Sequence, residues 1–287
     1  MNYPLNTKIG SPVSCRIDGK WKKFPLKFLW HCGPWFELFE RHADYIKQEI
    51  ARRRAEGRRI VYLSCPVSAK GGGFTTTNVE IAVHVTNALE KLFGTNFWIL
   101  NPALYQMESR AGVGLIERHA HALGIERGAA IDLDLLRREQ PLCGGDYLRM
   151  WTRVLAEDGR DNLGDHIDAI YFMGPSDAWG FFSKDRENVL DGVENYLARK
   201  IVLDPEYHEY FSDVTHGALR RTQFIEYYTL KVGAAFSYGS QDELDIWDTL
   251  CALRIGERGL PSQIPAFSEG RQLNLLYRGS GRKGYAV

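Results

Sequence analysis

The sequence predicts an α/β protein in which a parallel sheet is flanked by helices. Two short apolar runs, RIVYLSC and FWILNPA, enclose a longer stretch whose apolar residues recur every three or four positions. A third apolar run, DAIYFMGPS, comes later and ends in a Gly-Pro turn. Because a strand, a helix and a second strand in this order form the right-handed unit of parallel sheets, we expect a flavodoxin-like or Rossmann-like sheet.

The first elements follow from composition and spacing. Residues 1–34 contain several prolines and little periodicity, which predicts an irregular or short-stranded arm. Apolar positions in 35–56 and again in 79–94 have helical spacing, so we expect a helix in each. RIVYLSC precedes the second helix and FWILNPA follows it, and both read as buried strands because they are short and rich in β-branched and aromatic residues.

The segment 104–145 is long and less regular. We expect an insertion over the sheet edge or the active site, with helices around 114–123 and 132–138. A further helix is predicted over 146–157.

The third strand is predicted from Asp168, followed by a helix over 183–199 and a fourth strand, KIVL, at 200–203. Beyond this point two stretches with helical spacing predict a mainly helical C-terminal extension, which ends in a Gly-rich polar tail. The chain thus divides into an N-terminal arm and helix, an α/β core and the C-terminal extension: 1–58, 59–203 and 204–287.

Charge and cysteine content limit the class of protein. The 287 residues carry 36 basic and 36 acidic side chains, so the net charge of zero disfavours binding to nucleic acid or to an anionic membrane. No apolar run approaches the roughly 18 residues that span a bilayer. Five cysteines without CxxC spacing, and no leader before them, predict a cytoplasmic protein with reduced thiols.

The loop SCPVSAKGGGFTTTN joins the first predicted strand to a helix start, a position where open α/β sheets bind ligands. Three glycines allow a ligand to approach the backbone, and free N–H groups there can hold an anion. The alternative is a flexible connector in which Thr77 or Asn78 caps the helix. P-loop and GxGxxG patterns are absent. The candidate ligand-binding residues of this loop are Ser64, Pro66, Ser68, Lys70, Gly71, Gly72, Gly73 and Asn78.

The second candidate loop, GPSDAWGFFSKDRENVLDG, combines carboxylates with aromatic residues. A carboxylate beside aromatic rings is partly desolvated, which suits nucleophilic or acid/base chemistry. Capping of a helix is the alternative for each acid, and we favour it for Asp185. Asp177 and Glu187 remain the catalytic candidates. Asp177 directly follows the Gly-Pro turn, and for Glu187 neither capping nor catalysis is preferred.

The order YLSCPVS, TTNVEIA, WILNPA, GDYLRMW and DAIYFMGPSDAWGFF resembles the nucleoside 2-deoxyribosyltransferase superfamily over residues 59–203. The resemblance implies a flavodoxin-like fold and cleavage of an N-glycosidic bond in a nucleoside or nucleoside 5'-monophosphate. It further implies Glu187 as the nucleophile and Asp177 as the acid/base. We also expect Ser176 in the substrate site and Trp151 or Trp179 to stack on the base. We expect a homo-oligomer, because members of the family often complete the pocket from a neighbouring subunit.

Hydrolysis is favoured slightly over transfer, and Lys70 beside the glycines favours a phosphorylated substrate. The family's Gly-Thr-x-x-Glu pattern is missing here, so a non-catalytic nucleotide sensor on the same fold is an alternative, and NAD glycohydrolysis is a third. No cofactor is predicted. No metal site is predicted either, because His119 and His121 lie two positions apart and do not face one site on a helix.

Overall fold

The computed structural model describes residues 7–17, 20–68, 72–156, 163–183, 186–231, 238–258 and 263–273. The N-terminal arm forms two antiparallel pairs of short strands. Strand β1 (Thr7–Gly10) pairs with β4 (Phe28–His31), and β2 (Ser14–Ile17) pairs with β3 (Lys20–Lys23). The prediction of a short-stranded arm is confirmed for the part of the arm that the structure describes.

The central sheet has the order β6-β5-β7-β8-β9. Its strands are β5 (Arg59–Ser64), β6 (Phe97–Leu100), β7 (Ala169–Phe172), β8 (Ala266–Ser268) and β9 (Arg271–Leu273). Neighbours from β6 to β8 pair in parallel, and β9 is antiparallel to β8. The predicted α/β class with a mostly parallel sheet is therefore confirmed.

Helices cover both faces of this sheet. They are α1 (Pro34–Ala55), α2 (Thr75–Phe93), α3 (Arg110–Arg127), α4 (Leu133–Glu139), α5 (Gly144–Ala156), α6 (Pro175–Phe182), α7 (Val189–Leu203), α8 (Pro205–Phe211), α9 (Gly217–Glu226) and α10 (Tyr238–Arg258). Short 3₁₀ turns lie at Pro102–Leu104 and Arg186–Asn188, and a π turn at Tyr227–Lys231 extends α9. Among the described residues no helix has both the length and the apolar character that crossing a bilayer requires.

Side chains of β5 alternate between two hydrophobic cores, as the pleat of a strand requires. Ile60 and Tyr62 pack into a core shared with α1, α5 and α10. Val61 and Leu63 pack into a second core shared with α2 and with α6 to α9. Both faces of β5 are thus covered, which explains why the strand reads as a continuous apolar run.

Two sequence predictions are wrong at the level of single elements. KIVL is not a fourth strand, because Lys200 to Leu203 form the last turn of α7, and Val202 and Leu203 are exposed. The segment after Gly174 is not a loop as the sequence predicts. Pro175 begins helix α6, in the first turn, where proline is favoured. The fourth parallel strand is β8, which lies within the segment that the sequence predicted to be mainly helical.

Candidate functional site

The carboxyl ends of β5, β7 and β8 lie along one edge of the sheet. The chain leaves β5 for β6 on one side and later returns as β7 on the other, so the strand order reverses at β5. Ligands of open α/β sheets bind in the crevice at such a reversal. The backbone N–H of Met173 donates to the carbonyl of Ser64 at 2.9 Å, which fixes the two loops next to each other.

A buried carboxyl group from α10 sits under the end of β5. The Tyr62 hydroxyl donates a hydrogen bond to one oxygen of Glu243 at 2.6 Å, and the Ser64 hydroxyl donates to the other. Glu243 is 5% exposed. No Lys or Arg of the described residues forms an ion pair with it. Burial raises the pKa of Glu243 to about 7, against the opposing effect of the two hydroxyl donors. Its carboxyl group can therefore hold or release a proton near neutral pH.

A second carboxyl group lies at the end of β7. Asp177 accepts the backbone N–H of Gly174 at 2.8 Å and the Tyr171 hydroxyl at 2.9 Å. Burial is the main cause that raises the pKa of Asp177, and the two donors oppose it. These contacts hold the carboxylate at the first turn of α6, where it also interacts favourably with the helix dipole.

A third carboxyl group comes from the β8–β9 turn. Glu269 has a φ of 49°, in the left-handed region that non-glycine residues seldom adopt. Its carboxylate accepts the backbone N–H of Ser176 at 2.7 Å, and its charge contributes to the raised pKa of Asp177. A carboxyl group thus lies at the carboxyl end of each of three neighbouring parallel strands: Glu243 at β5, Asp177 at β7 and Glu269 at β8.

Several predicted site residues are brought to this edge and others are not. Ser64, Ser176 and Asp177 lie there, as described above. Trp179 is half-buried on α6, and its ring N–H donates to the Tyr228 carbonyl at 3.1 Å. Trp151 is fully buried in the core, with its ring centre 5.5 Å from that of Tyr62.

Glu187 is exposed in the 3₁₀ turn that follows α6. Lys70, Gly71 and Asp185 lie outside the described residues. Pro66 is half-buried and Ser68 is exposed in the described part of the first loop.

The described glycines of the first loop approach the protein's own α9. A side chain at Gly72 would place its Cβ 2.8 Å from the Gln223 carbonyl oxygen, and one at Gly73 would contact the Tyr227 ring at 2.9 Å. Asn78 donates to the carbonyls of Val67 and Ser68, and it accepts the Tyr228 hydroxyl. Close packing against α9 is therefore one reason for glycine at these positions.

We expect Gly72→Ala to destabilise the fold by about 2–4 kcal/mol, through both its φ of 112° and the contact with Gln223. Gly128→Ala is a matched control, because Gly128 has a φ of 67° in the left-handed helical region with no atom near its missing side chain. The control should cost only about 1–2 kcal/mol. Urea unfolding of both variants measures the difference, and equal losses would mean that the α9 contact contributes nothing.

Sequence reasoning missed Glu243 and Glu269. A signal for Glu243 was present, because it shares a helix face with Ile246, Trp247 and Leu250, all of which are buried. A glutamate at a core position of an amphipathic helix is unusual and marks a candidate site. Glu269 had no comparable signal in the sequence, since β8 has only three residues.

A cleft of about 530 Å³ lies elsewhere, between α3 and α4. Its lining includes Glu117, His121, Asp132 and Arg137, and none of the predicted site residues contributes to it. Glu243 and Asp177 both have raised pKa values and lie at the ends of the adjacent strands β5 and β7, so they favour the sheet edge over this cleft as the place for chemistry.

A comparison of the chain with protein-family models, with curated proteins and with solved structures found no match.

Proposed function

We propose that the protein cleaves the N-glycosidic bond of a nucleoside or a nucleoside 5'-monophosphate at the carboxyl edge of its sheet. The observation that carries the proposal is the buried carboxyl group of Glu243, which lies at the end of the central strand and has a pKa of about 7. The strand order β6-β5-β7-β8 supports it as well, since flavodoxin-like sheets have this order, as the resemblance to nucleoside 2-deoxyribosyltransferases implies.

The two carboxyl groups have environments that suit different roles. Asp177 accepts two hydrogen bonds that favour its charged form and partly offset the effect of burial, which raises its pKa. In its charged form Asp177 attacks the anomeric carbon of the sugar. The bond from that carbon to the base breaks as the Asp177 bond forms. Glu243 supplies the proton that the departing base nitrogen takes up. In this step the protonated Glu243 donates to the Ser64 oxygen and the Ser64 hydroxyl donates to the base, so the hydrogen bond between Ser64 and Glu243 reverses relative to the one described above. Water or a second base then releases the sugar from Asp177.

This assignment differs from the one carried by the resemblance, in which Glu187 attacks and Asp177 transfers protons. Asp177 is preferred as the nucleophile because it is held at the strand end, whereas Glu187 is exposed beyond α6. The half-buried ring of Trp179 remains a candidate to stack on the base.

The test is a panel of nucleosides, nucleoside 5'-monophosphates and NAD, scored for binding by thermal shift and for free base by chromatography. We expect base release by the wild-type protein. Asp177→Asn and Glu243→Gln should each lower the rate by about 10²–10⁴-fold, the range typical of lost acid/base or nucleophilic groups. Glu187→Gln is the matched control and should retain the rate.

Loss of activity in Glu187→Gln alone would contradict our assignment and support the one from the resemblance. Binding of a nucleotide by the wild-type protein without any released base would contradict cleavage and support a nucleotide sensor.

A further inference from the structure

Three metal-binding side chain types meet where the N-terminal arm touches α5. His31 is the last residue of β4, Cys143 precedes α5, and Asp146 lies in its first turn. One ligand atom from each of the three lies within 4.8 Å of the others. The residues are distant in sequence, with 115 positions between His31 and Asp146, so spacing along the chain did not reveal the cluster.

Hydrogen bonds hold the two segments in register. Asp146 accepts the backbone N–H of His31 on one oxygen at 2.7 Å. Its other oxygen lies 2.8 Å from Nδ1 of His31 and accepts the backbone N–H of Cys143 at 3.0 Å. Gly145 allows this approach, because a side chain there would collide with the Leu29 carbonyl. The donor atoms are thus positioned by backbone contacts and not by flexible side chains alone.

Burial separates this cluster from an ordinary surface group. His31 is 6% exposed and Asp146 is 4% exposed, while Cys143 is half-buried. A divalent cation bound here would compensate the charges of a thiolate and a carboxylate together.

We propose that His31, Cys143 and Asp146 form a binding site for Zn²⁺. An imidazole, a thiolate and a carboxylate are the ligand types that zinc prefers, at roughly 2.0–2.3 Å from the metal. Ligand atoms at such distances lie about 3–4 Å apart, so the present separations, from 2.8 Å up to 4.8 Å, need only small adjustments. Three protein ligands leave a fourth position for water. The bond from the His31 N–H to Asp146 would persist and orient the carboxylate.

The test uses the full chain, reduced and freed of metal with a chelator, and titrated with Co²⁺ followed by Zn²⁺. We expect the near-ultraviolet band of a thiolate bound to Co²⁺, which Zn²⁺ then removes. Cys143→Ser should lose the band and weaken metal affinity by more than about tenfold, since even outer-shell partners contribute 10–100-fold. Cys32→Ser is the matched control, because Cys32 is a half-buried cysteine beside His31, and it should keep the band.

Melting temperatures provide a second measurement that does not depend on cobalt. Zn²⁺ should raise the melting temperature of the wild-type protein and of Cys32→Ser, but not that of Cys143→Ser. If Cys143→Ser does not fold, His31→Gln serves in its place. The proposal is overturned if the wild-type protein gives no band, if the band survives in Cys143→Ser, or if Cys32→Ser abolishes it.

Discussion

Glu243→Gln is expected to be more stable than the wild-type protein at pH 8 and equally stable near pH 4.5. Burial raises the pKa of Glu243 to about 7 in the folded protein, against an ordinary value of about 4.5. The folded state therefore binds more protons than the unfolded state between these two values, and stability falls as pH rises through that window. About 2.5 pKa units correspond to roughly 3 kcal/mol, and glutamine avoids this loss because it stays neutral.

Urea unfolding of both proteins at pH 4.5, 6 and 8 measures the effect. We expect a gain of about 3 kcal/mol at pH 8, because Glu243 is ionised there and glutamine stays neutral. Glu187→Gln, an exposed substitution, should stay within about 0.5 kcal/mol of the wild-type protein throughout. A Glu243→Gln variant that is less stable at pH 8 than at pH 4.5, relative to wild type, would contradict the buried neutral carboxyl group.

The second large effect is loss of stability in acid because of His42. This side chain is 0% exposed, with Nε2 at 2.7 Å from the Tyr105 carbonyl and Nδ1 at 3.1 Å from Nε2 of His119. Burial lowers the pKa of His42 from 6.5 to about 4, and the Tyr105 carbonyl opposes it in part. The unfolded chain therefore binds the extra proton first, so stability is complete above pH 6.5 and is lost as pH falls toward 4.

The size of this loss is about 2 kcal/mol at pH 5 and about 3 kcal/mol below pH 4. His42→Gln should be less stable than the wild-type protein at pH 7, but its stability should fall less between pH 7 and pH 5. His121→Gln, which changes an exposed histidine, should follow the wild-type profile. If His42→Gln and the wild-type protein lose equal stability over that interval, His42 does not cause the acid sensitivity.

Periodicity predicted the elements whose burial is regular. The helices α1 to α5 and the strands β5, β6 and β7 lie where apolar spacing placed them. Helix α7 was misjudged because its last turn, KIVL, is apolar although Val202 and Leu203 are exposed. Strand β8 could not be found because three residues carry no measurable period.

The site was predicted only where it is local in sequence. Ser64 and Asp177 could be predicted because Ser64 lies at the end of β5 and Asp177 lies shortly after β7. Glu243 lies 181 positions from Tyr62, so only the packing of α10 under the sheet brings them together. For the described glycines of the first loop, the sequence pattern is local but its interpretation is not decisive. The pattern is typical of anion binding, but close packing against α9 also explains it.

Direct titration of Glu243 tests the central claim of a protonatable carboxyl group at the end of β5. Glutamate side chain carboxyl carbons can be labelled with ¹³C and followed by NMR from pH 4 to pH 9, with Glu243→Gln assigning the signal. We expect that signal to titrate with a pKa of about 7. Titration near 4.5, the ordinary value, would contradict the claim and remove the observation on which the proposed function rests.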